Sequence, residues 1–307
     1  MRIVSLLPSA TEIVFALGLG DELVGRTHEC DYPPEAAAVP VLTADVGARP
    51  GATSREIHDR VRAQLHGGSA IYRLDEAALA AAHPDLILTQ ELCEVCAVGY
   101  RQVTEAVRAL DAEVTVVSLE PTSLEGIFNT IATVGAYSAA EDEAVGLVEL
   151  LRERLAAIEN RVLERRLDGI PARRVACLEW LDPPFAAGHW VPEQVRRAGG
   201  WELLGQEGER AVETTWSAVR DVDPEQLLLM PCGLDAAATA AEWVRTPKPE
   251  GLEDLRAARA GEVYALDGSA YFSRPGPRVL DGIALLAELF DPTGFRGFAP
   301  TGSWLPA

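Results

Sequence analysis

Residues 138–169 read SAAEDEAVGLVELLRERLAAIENRVLERRLDG, with apolar residues at three- and four-residue spacing at Val148, Leu151, Leu155, Ile158 and Val162. That spacing is typical of one apolar face of an α-helix. Ser138 and Glu141 have the spacing of a capping box, which predicts the start of the helix, and Pro171 blocks its continuation. At about 1.5 Å per residue the helix spans about 40 Å, too long for a small α/β layer. The segment therefore predicts a stiff connection between two lobes.

On both sides of this helix, short β-rich runs alternate with helical runs. Strands are predicted at 3–7, 23–25, 86–88, 114–117, 175–179, 227–230 and 263–266. Helices are predicted at 75–83, 98–110, 192–198 and 279–290, and the capping-box spacing of Ser9 and Glu12 predicts another near the N-terminus. Such alternation is typical of parallel sheets covered by helices. We therefore predict an α/β chain with an N-terminal lobe (1–137), an interlobe backbone helix (138–169) and a C-terminal lobe (170–307).

The composition excludes several classes of function. The chain has 307 residues, with 27 basic against 47 acidic residues and a formal net charge of −20. A negative field of this size repels phosphate backbones and anionic lipid, so we expect no nucleic-acid partner. The hydrophobic content of 48% is ample for a folded core. No apolar run reaches the roughly 18 residues of a transmembrane helix, so we expect no membrane insertion.

The N-terminal sequence bears on the cellular compartment. The first residues, MRIVSLLPSATEIVF, lack a basic region followed by an apolar stretch and a small-residue cleavage site. This pattern predicts a cytoplasmic protein, or a periplasmic or extracellular one from which a leader has been removed. The five cysteines are an odd number, which does not favour a disulfide-stapled fold.

Four segments together resemble a known family: RIVSLLPSATEIVFALGLGDELVGRTHECDYPPE at 2–35, HPDLIL at 83–88, EWLDPPFAAGHW at 179–190 followed by AGG at 198–200, and AYFSRPGPRVLDGIALLAELF at 270–290. They resemble the substrate-binding proteins of ABC importers for vitamin B12, iron-siderophores and heme, the helical-backbone metal receptors. Within this class they are most similar to the cobalamin-binding proteins. The resemblance implies two Rossmann-like lobes with mostly parallel sheets, one rigid helix joining them, a ligand cleft between the lobes, and an ABC permease as partner.

The loops beyond the carboxyl ends of the strands are the expected ligand-binding positions, because ligands collect there in open α/β sheets. Aromatic and arginine side chains in these loops suit the flat face and the peripheral amides or carboxylates of a corrin or porphyrin. The candidate ligand-binding residues are Tyr32, Gln90, Glu91, Trp180, Phe185, His189, Trp190, Tyr271, Phe272 and Arg274. Trp180 and Phe185 are equally compatible with packing in the core, and Arg274 with a structural role.

A second constellation favours metal chemistry. Cys93 and Cys96 have the spacing that suits zinc or another thiophilic metal such as iron, but a full zinc knuckle needs a second such pair, which the chain lacks. Further candidate metal ligands are His28, Cys30 and His189. Two small buried thiols at the start of a helix, or a disulfide in an exported protein, are the alternatives.

Three functions remain open from the sequence. The first is a binding protein that holds a cobalamin-like corrinoid or a related metal chelate, which requires no catalytic residue. The second is a cytosolic metal-binding protein or metalloenzyme on the same scaffold that uses the loop of Cys93 and Cys96. The third is a heme or ferric-siderophore binding protein of an ABC importer. No HExxH, GxSxG or kinase pattern occurs in the chain.

Overall fold

Contacts within the chain divide it into two compact units. The computed structural model describes residues 1–47, 49, 51–66, 72–90, 105–107 and 113–307. Unit 1 comprises Met1–Gly51, Asp59–Pro121 and Glu125–Leu150. Unit 2 comprises Ala52–His58, Thr122–Leu124 and Leu151–Ala307. The lobe boundaries expected at residues 137 and 170 stay a prediction.

Unit 1 is built on a parallel sheet. The strands of this part of the chain are β1 (Ile3–Ser5), β2 (Leu23–Gly25), β3 (Thr43–Asp45), β4 (Tyr72–Leu74), β5 (Leu86–Thr89) and β6 (Thr115–Ser118). The parallel sheet has the order β2-β1-β5-β6, and β3 and β4 form a separate antiparallel pair. Every residue of β1 and β5 is buried, which is why both strands are apolar in the sequence up to their last residues, Ser5 and Thr89. The four parallel strands end at the same edge of the sheet.

The helices of the first half depart from the sequence expectations at their starts. Those with both ends among the described residues are α1 (Pro8–Ala16), α2 (Ser54–His66), α3 (Glu76–Ala82), α4 (Leu124–Ser138) and α5 (Glu141–Leu167), and residues 105–107 are helical as well. The capping box expected from Ser9 is wrong, because α1 already begins at Pro8, and a proline in the first turn loses no helical hydrogen bond. The capping box expected from Ser138 is also wrong. Ser138 ends α4, and its Oγ donates to the carbonyl of Val134 at 2.6 Å.

The long helix expected from the apolar spacing is confirmed as α5, with 27 residues. Four of the five apolar positions that predicted the helix are buried: Val148, Leu151, Leu155 and Ile158. Acidic residues fill its first turn and arginines its last, the charges that the helix dipole favours at those ends. The division between the two contact units falls inside this helix, between Leu150 and Leu151.

Unit 2 is built on a larger, mixed sheet. Its strands are β7 (Arg173–Leu181), β8 (Pro184–Ala186), β9 (Gly200–Glu202), β10 (Val212–Glu213), β11 (Gln226–Leu229), β12 (Val263–Leu266) and β13 (Trp304–Pro306). The order is β10-β8-β7-β11-β12-β13, and β9 pairs with β7. The central strands β7, β11 and β12 are parallel, as is β9, while β8, β10 and β13 run antiparallel to their neighbours. β7, β11 and β12 therefore end at one edge.

Short helices alternate with these strands. They are α6 (Val191–Arg197), α7 (Trp216–Val222), α8 (Ala236–Arg245), α9 (Arg256–Ala260), α10 (Gly268–Tyr271) and α11 (Val279–Phe290). Single 3₁₀ turns occur at Gly20–Glu22, Pro34–Ala38 and Leu252–Asp254. Side chains of Thr215 and Asp235 accept from the first turns of α7 and α8 and start both helices. The α11 helix has the predicted bounds, and ten of its residues are buried.

The α/β fold class is therefore confirmed, with a parallel sheet in unit 1, a parallel centre in the sheet of unit 2, and one long helix. Among the described helices, none is both long enough and apolar enough to span a bilayer.

Candidate functional site

Three loops of unit 2 meet at the edge where its parallel strands end. These edge loops are residues 187–190, 230–235 and 267–278. The amide of Gly188 donates to Glu179 Oε2 at 3.3 Å, and the amide of Cys232 donates to the carbonyl of Glu179 at 3.2 Å. The amide of Ser269 donates to the carbonyl of Leu234 at 3.1 Å. Hydrogen bonds thus join the three loops to one another and to the end of β7.

A glycine is required where two of the edge loops touch. A Cβ added to Gly268 would lie 2.4 Å from the carbonyl oxygens of both Met230 and Pro231. Real Cβ atoms do not approach backbone oxygens so closely, so any larger residue would push the two loops apart. The close approach fixes the start of loop 267–278 against the end of β11.

Two side chains of the α6 region hold the third edge loop in place. Trp190 is 7% exposed, and its Nε1 donates to the carbonyl of Phe272 at 2.9 Å. Gln194 is fully buried, and its Nε2 donates to the carbonyls of Tyr271 at 3.1 Å and Val279 at 2.9 Å. The role of Gln194 was not predicted from the sequence, because a glutamine in a short helix with charged neighbours gives no local sign of which groups it bonds. Trp190 and Phe272 are mostly enclosed by protein, and their contact with a ligand stays a prediction.

Aromatic and cationic groups lie together on loop 267–278. The guanidinium of Arg278 lies 5.8 Å from the ring centroid of Tyr271, within the range of a cation–π contact. Tyr271, Arg274 and Arg278 are all partly exposed. Asp267 caps α10 by accepting from the amide of Ala270 at 2.7 Å. Burial raises the pKa of Asp267, although that amide and the two arginines act in the opposite direction.

His189 has an unusual backbone and an unusual ring. Its φ of 53° lies in the left-handed region, which histidine adopts more readily than most residues. The amide of Gly208 donates to the carbonyl of His189 at 2.9 Å, and the imidazole stacks on Trp190 with centroids 5.7 Å apart. Among the described residues, no partner reaches its buried Nδ1. Burial lowers the pKa of His189, and the positive charge of Arg210 lowers it further.

Trp180 and Phe185 face each other across the hairpin of β7 and β8. The indole Nε1 of Trp180 donates to the carbonyl of Ser54 at 3.2 Å, and the ring of Phe185 lies 5.9 Å from that of His58. Both aromatic side chains are partly exposed. The hairpin therefore holds residues 52–58, a role compatible with the core-packing alternative for these two residues.

The same segment is anchored by a buried carboxylate. Glu242, on α8, is 3% exposed and accepts from the amide of Ser54 at 2.5 Å and from its Oγ at 2.6 Å. Glu242 also pairs with Arg245. The sequence could not show this contact, because its partners lie 188 positions apart.

In unit 1, the loop that follows β2 places Cys30 and His28 in different surroundings. The thiol of Cys30 is 2% exposed, accepts from Thr11 Oγ1 at 3.0 Å, and lies 3.1 Å from Thr27 Oγ1. His28 is exposed, and its Nδ1 lies 2.8 Å from Thr43 Oγ1. Tyr32, in the same loop, is exposed as well.

The predicted metal site has no counterpart in the part of the chain that the structure describes. No group of three or more His, Cys, Asp or Glu side chains there is arranged to hold a metal ion. Glu91, Cys93 and Cys96 lie outside the described residues. Gln90, directly after β5, is partly exposed. His28 and Cys30 belong to unit 1 and His189 to unit 2.

Comparisons with known proteins agree with this architecture. An uncharacterized ABC transporter substrate-binding lipoprotein of Bacillus subtilis is 25% identical over 302 residues, covering 96% of this chain and 81% of that protein. A vitamin B12-binding protein of Vibrio cholerae is 24% identical over 292 residues, covering 92% of this chain and 86% of that protein. A periplasmic heme binding protein from Pseudomonas aeruginosa has the same fold, with a TM-score of 0.70, 23% identity, and coverage of 95% of this chain and 93% of its own.

The sequence profile of a family described as periplasmic binding protein matches residues 3–270, which include the long helix, the sheets of unit 1 and every strand of the unit 2 sheet except β13. The resemblance expected from the four sequence segments is therefore confirmed, and the chain belongs to the periplasmic binding protein family.

Proposed function

We propose that this chain is the substrate-binding protein of an ABC importer and that it holds a cobalamin-like corrinoid or a closely related metal chelate. The observation that carries the ligand class is the stack of Arg278 on Tyr271, beside Arg274, in a loop beyond the carboxyl ends of parallel strands. Flat ring systems are bound by aromatic faces, and their peripheral amides or carboxylates by guanidinium groups. The similarity to a vitamin B12-binding protein supports the corrinoid.

In this proposal the groups of the site act by contact alone. Tyr271 and His189 provide flat faces or donors, and Arg274 provides a charged donor. Trp190 and Gln194 hold the loop that carries Tyr271 and Arg274. Tyr32, an exposed aromatic of unit 1, stays a candidate ligand contact from the sequence. The metal of the chelate is cargo here, and no resident zinc or iron is needed.

Neither the family description nor the relatives support the cytoplasmic expectation. The family is named for periplasmic proteins, and the relative from Bacillus subtilis is named a lipoprotein. We therefore propose that the protein acts outside the cytoplasm and delivers its ligand to a permease.

The test is calorimetric titration of the full chain with cyanocobalamin, followed by thermal unfolding with about 100 µM ligand. Micromolar binding at that excess adds roughly 2.7 kcal/mol to the free energy of unfolding. We expect measurable heat and a raised melting temperature. No heat and no stabilisation with cyanocobalamin would refute the corrinoid.

Heme is the second candidate, because Arg274 and Arg278 suit the two propionates of a porphyrin and a heme binding protein shares the fold. The same titration with hemin distinguishes the two ligands. A Soret band that co-elutes with the protein, together with no response to cyanocobalamin, would favour heme.

A further inference from the structure

The imidazole of His189 is held in a defined position, which bears on how it contacts the ligand. Its backbone is fixed by the contacts with residues 208 and 209 and by a φ of 53°, and its ring is fixed by the stack on Trp190. In this arrangement Nδ1 is turned into the protein. Among the described residues, five side-chain atoms are buried without a hydrogen-bond partner, and this Nδ1 is one of them.

The unpaired Nδ1 decides the protonation of the ring. A neutral imidazole carries its proton on one nitrogen only. A proton on Nδ1 would bury an N–H donor with nothing to accept from it, whereas a lone pair left there costs less. The imidazolium would place an unpaired N–H on Nδ1 as well. The stable form is neutral, with the proton on Nε2.

This form is unsuited to binding a metal. A histidine that ligates a metal through Nε2 must carry its proton on Nδ1, and that N–H is nearly always given to a carboxylate, a carbonyl or water. His189 has no such partner in the described chain. Its Nε2 therefore acts as a donor, not as a ligand of cobalt or iron.

We propose that His189 donates a hydrogen bond from Nε2–H to an uncharged oxygen acceptor on the rim of the bound chelate, of the kind that the amide side chains of a corrinoid provide. This inference rests on the proposed function, which it deepens by assigning a specificity-determining residue. It replaces the expectation, open from the sequence, that the imidazole of His189 ligates the metal.

Three variants separate a ligand contact from a structural role. The Nε2 of glutamine reaches the position of the histidine Nε2, so His189→Gln should keep the affinity for cyanocobalamin within about threefold. Asparagine is too short, so His189→Asn should lose about tenfold, the effect of one hydrogen bond. The asparagine variant should nevertheless unfold at a higher temperature than the glutamine variant, because asparagine tolerates the left-handed backbone better than glutamine. His189→Gly removes the ring without backbone strain and should bind as weakly as the asparagine variant.

A spectroscopic measurement tests the metal directly. Aquocobalamin exchanges its water for an imidazole with a shift of its visible bands, so binding to the wild-type chain should leave the bands in place. A shift that occurs with the wild-type chain and is lost in His189→Gln would overturn the proposal. Equal affinities of the glutamine and asparagine variants would overturn it as well. A wild-type chain that binds neither cyanocobalamin nor hemin removes the proposed function itself, and this inference with it.

Discussion

The carboxylate of Glu242 anchors residues 52–58 through hydrogen bonds from Ser54, and Glu242→Ala tests how much these bonds stabilise the protein. Glu242 lies in α8 and is 3% exposed, while Ser54 begins α2 and is 2% exposed. The carboxylate accepts from both the amide and the hydroxyl of Ser54. Both residues are buried, so alanine at position 242 would leave both donors without this acceptor.

The size of the effect follows from these two donors. A buried donor that loses its acceptor costs about 1–3 kcal/mol. The hydroxyl of Ser54 can rotate toward another acceptor, so it contributes at the lower end, while the amide cannot. The paired Arg245 is half exposed and returns to water at little cost. We therefore expect Glu242→Ala to lower the free energy of unfolding by about 3 kcal/mol, and Ser54→Ala, which removes only the hydroxyl, by about 1 kcal/mol.

Urea unfolding followed by tryptophan fluorescence measures both values, since Trp180 donates to the carbonyl of Ser54 and reports on this segment. Glu253→Ala is the matched control, because Glu253 is exposed and its removal should change the free energy by less than about 0.5 kcal/mol. A Glu242→Ala variant within about 1 kcal/mol of the wild type would refute the reasoning, because it would mean that Ser54 finds other acceptors.

Three further predictions concern stability and its dependence on pH. The hydrogen bond from Arg165 lowers the pKa of Asp291, so Asp291→Asn should cost about 1–2 kcal/mol near neutral pH. The difference between wild type and variant should shrink as the pH falls below about 4, because the stabilisation from a lowered carboxyl pKa is lost in acid. A difference in the free energy of unfolding that stays constant with pH, measured by urea unfolding, would contradict this prediction. Burial raises the pKa of Tyr264 to about 12. Because the unfolded chain then loses this proton at a lower pH than the folded one, the free energy of unfolding should decline between about pH 10 and about pH 12. Alkaline unfolding should show a less steep decline in Tyr264→Phe than in the wild type. Gln194→Leu leaves the carbonyls of Tyr271 and Val279 without this donor. It should lower the free energy of unfolding by about 2 kcal/mol in thermal unfolding and weaken cyanocobalamin binding. Unchanged binding would mean that loop 267–278 does not contact the ligand.

The fold was predictable because its strands and its long helix are encoded by local apolar patterns. β11 and β12 are fully or largely buried and, apart from Gln226 at the start of β11, appear as apolar runs. The α11 helix has the bounds that its amphipathic spacing predicts. The helix starts were less predictable. Ser9 and Ser138 have the spacing of N-terminal caps. However, α1 already begins at Pro8, and Ser138 is the last residue of α4, where its hydroxyl donates to the carbonyl of Val134. A local pattern cannot decide which of two helices a serine belongs to.

The candidate site was only partly predictable. The rule that ligands bind beyond the carboxyl ends of parallel strands selected the loops of His189 and Tyr271, and hydrogen bonds join these loops in the structure. That rule did not identify the residues that hold these loops in place. Gln194 acts through backbone carbonyls more than seventy positions away, and Glu242 acts on a serine in a distant segment. Such contacts depend on tertiary packing, which leaves no periodic trace in one sequence.

The charge balance of the edge loops argues for a ligand close to neutral. They contain Asp235 and Asp267 against Arg274 and Arg278, so their formal charges cancel within a chain of net charge −20. A corrinoid whose rim carries uncharged amides meets no net repulsion there, whereas a dianionic porphyrin must approach against the field of the whole chain. Raising NaCl from about 50 mM to about 500 mM should therefore change the affinity for cyanocobalamin by less than about twofold and should increase any affinity for hemin, because salt screens that repulsion. Titration calorimetry at both salt concentrations measures this. A cyanocobalamin affinity that falls about tenfold with salt would mean that charged contacts dominate the site, and the assignment of a neutral acceptor to His189 would lose its electrostatic basis.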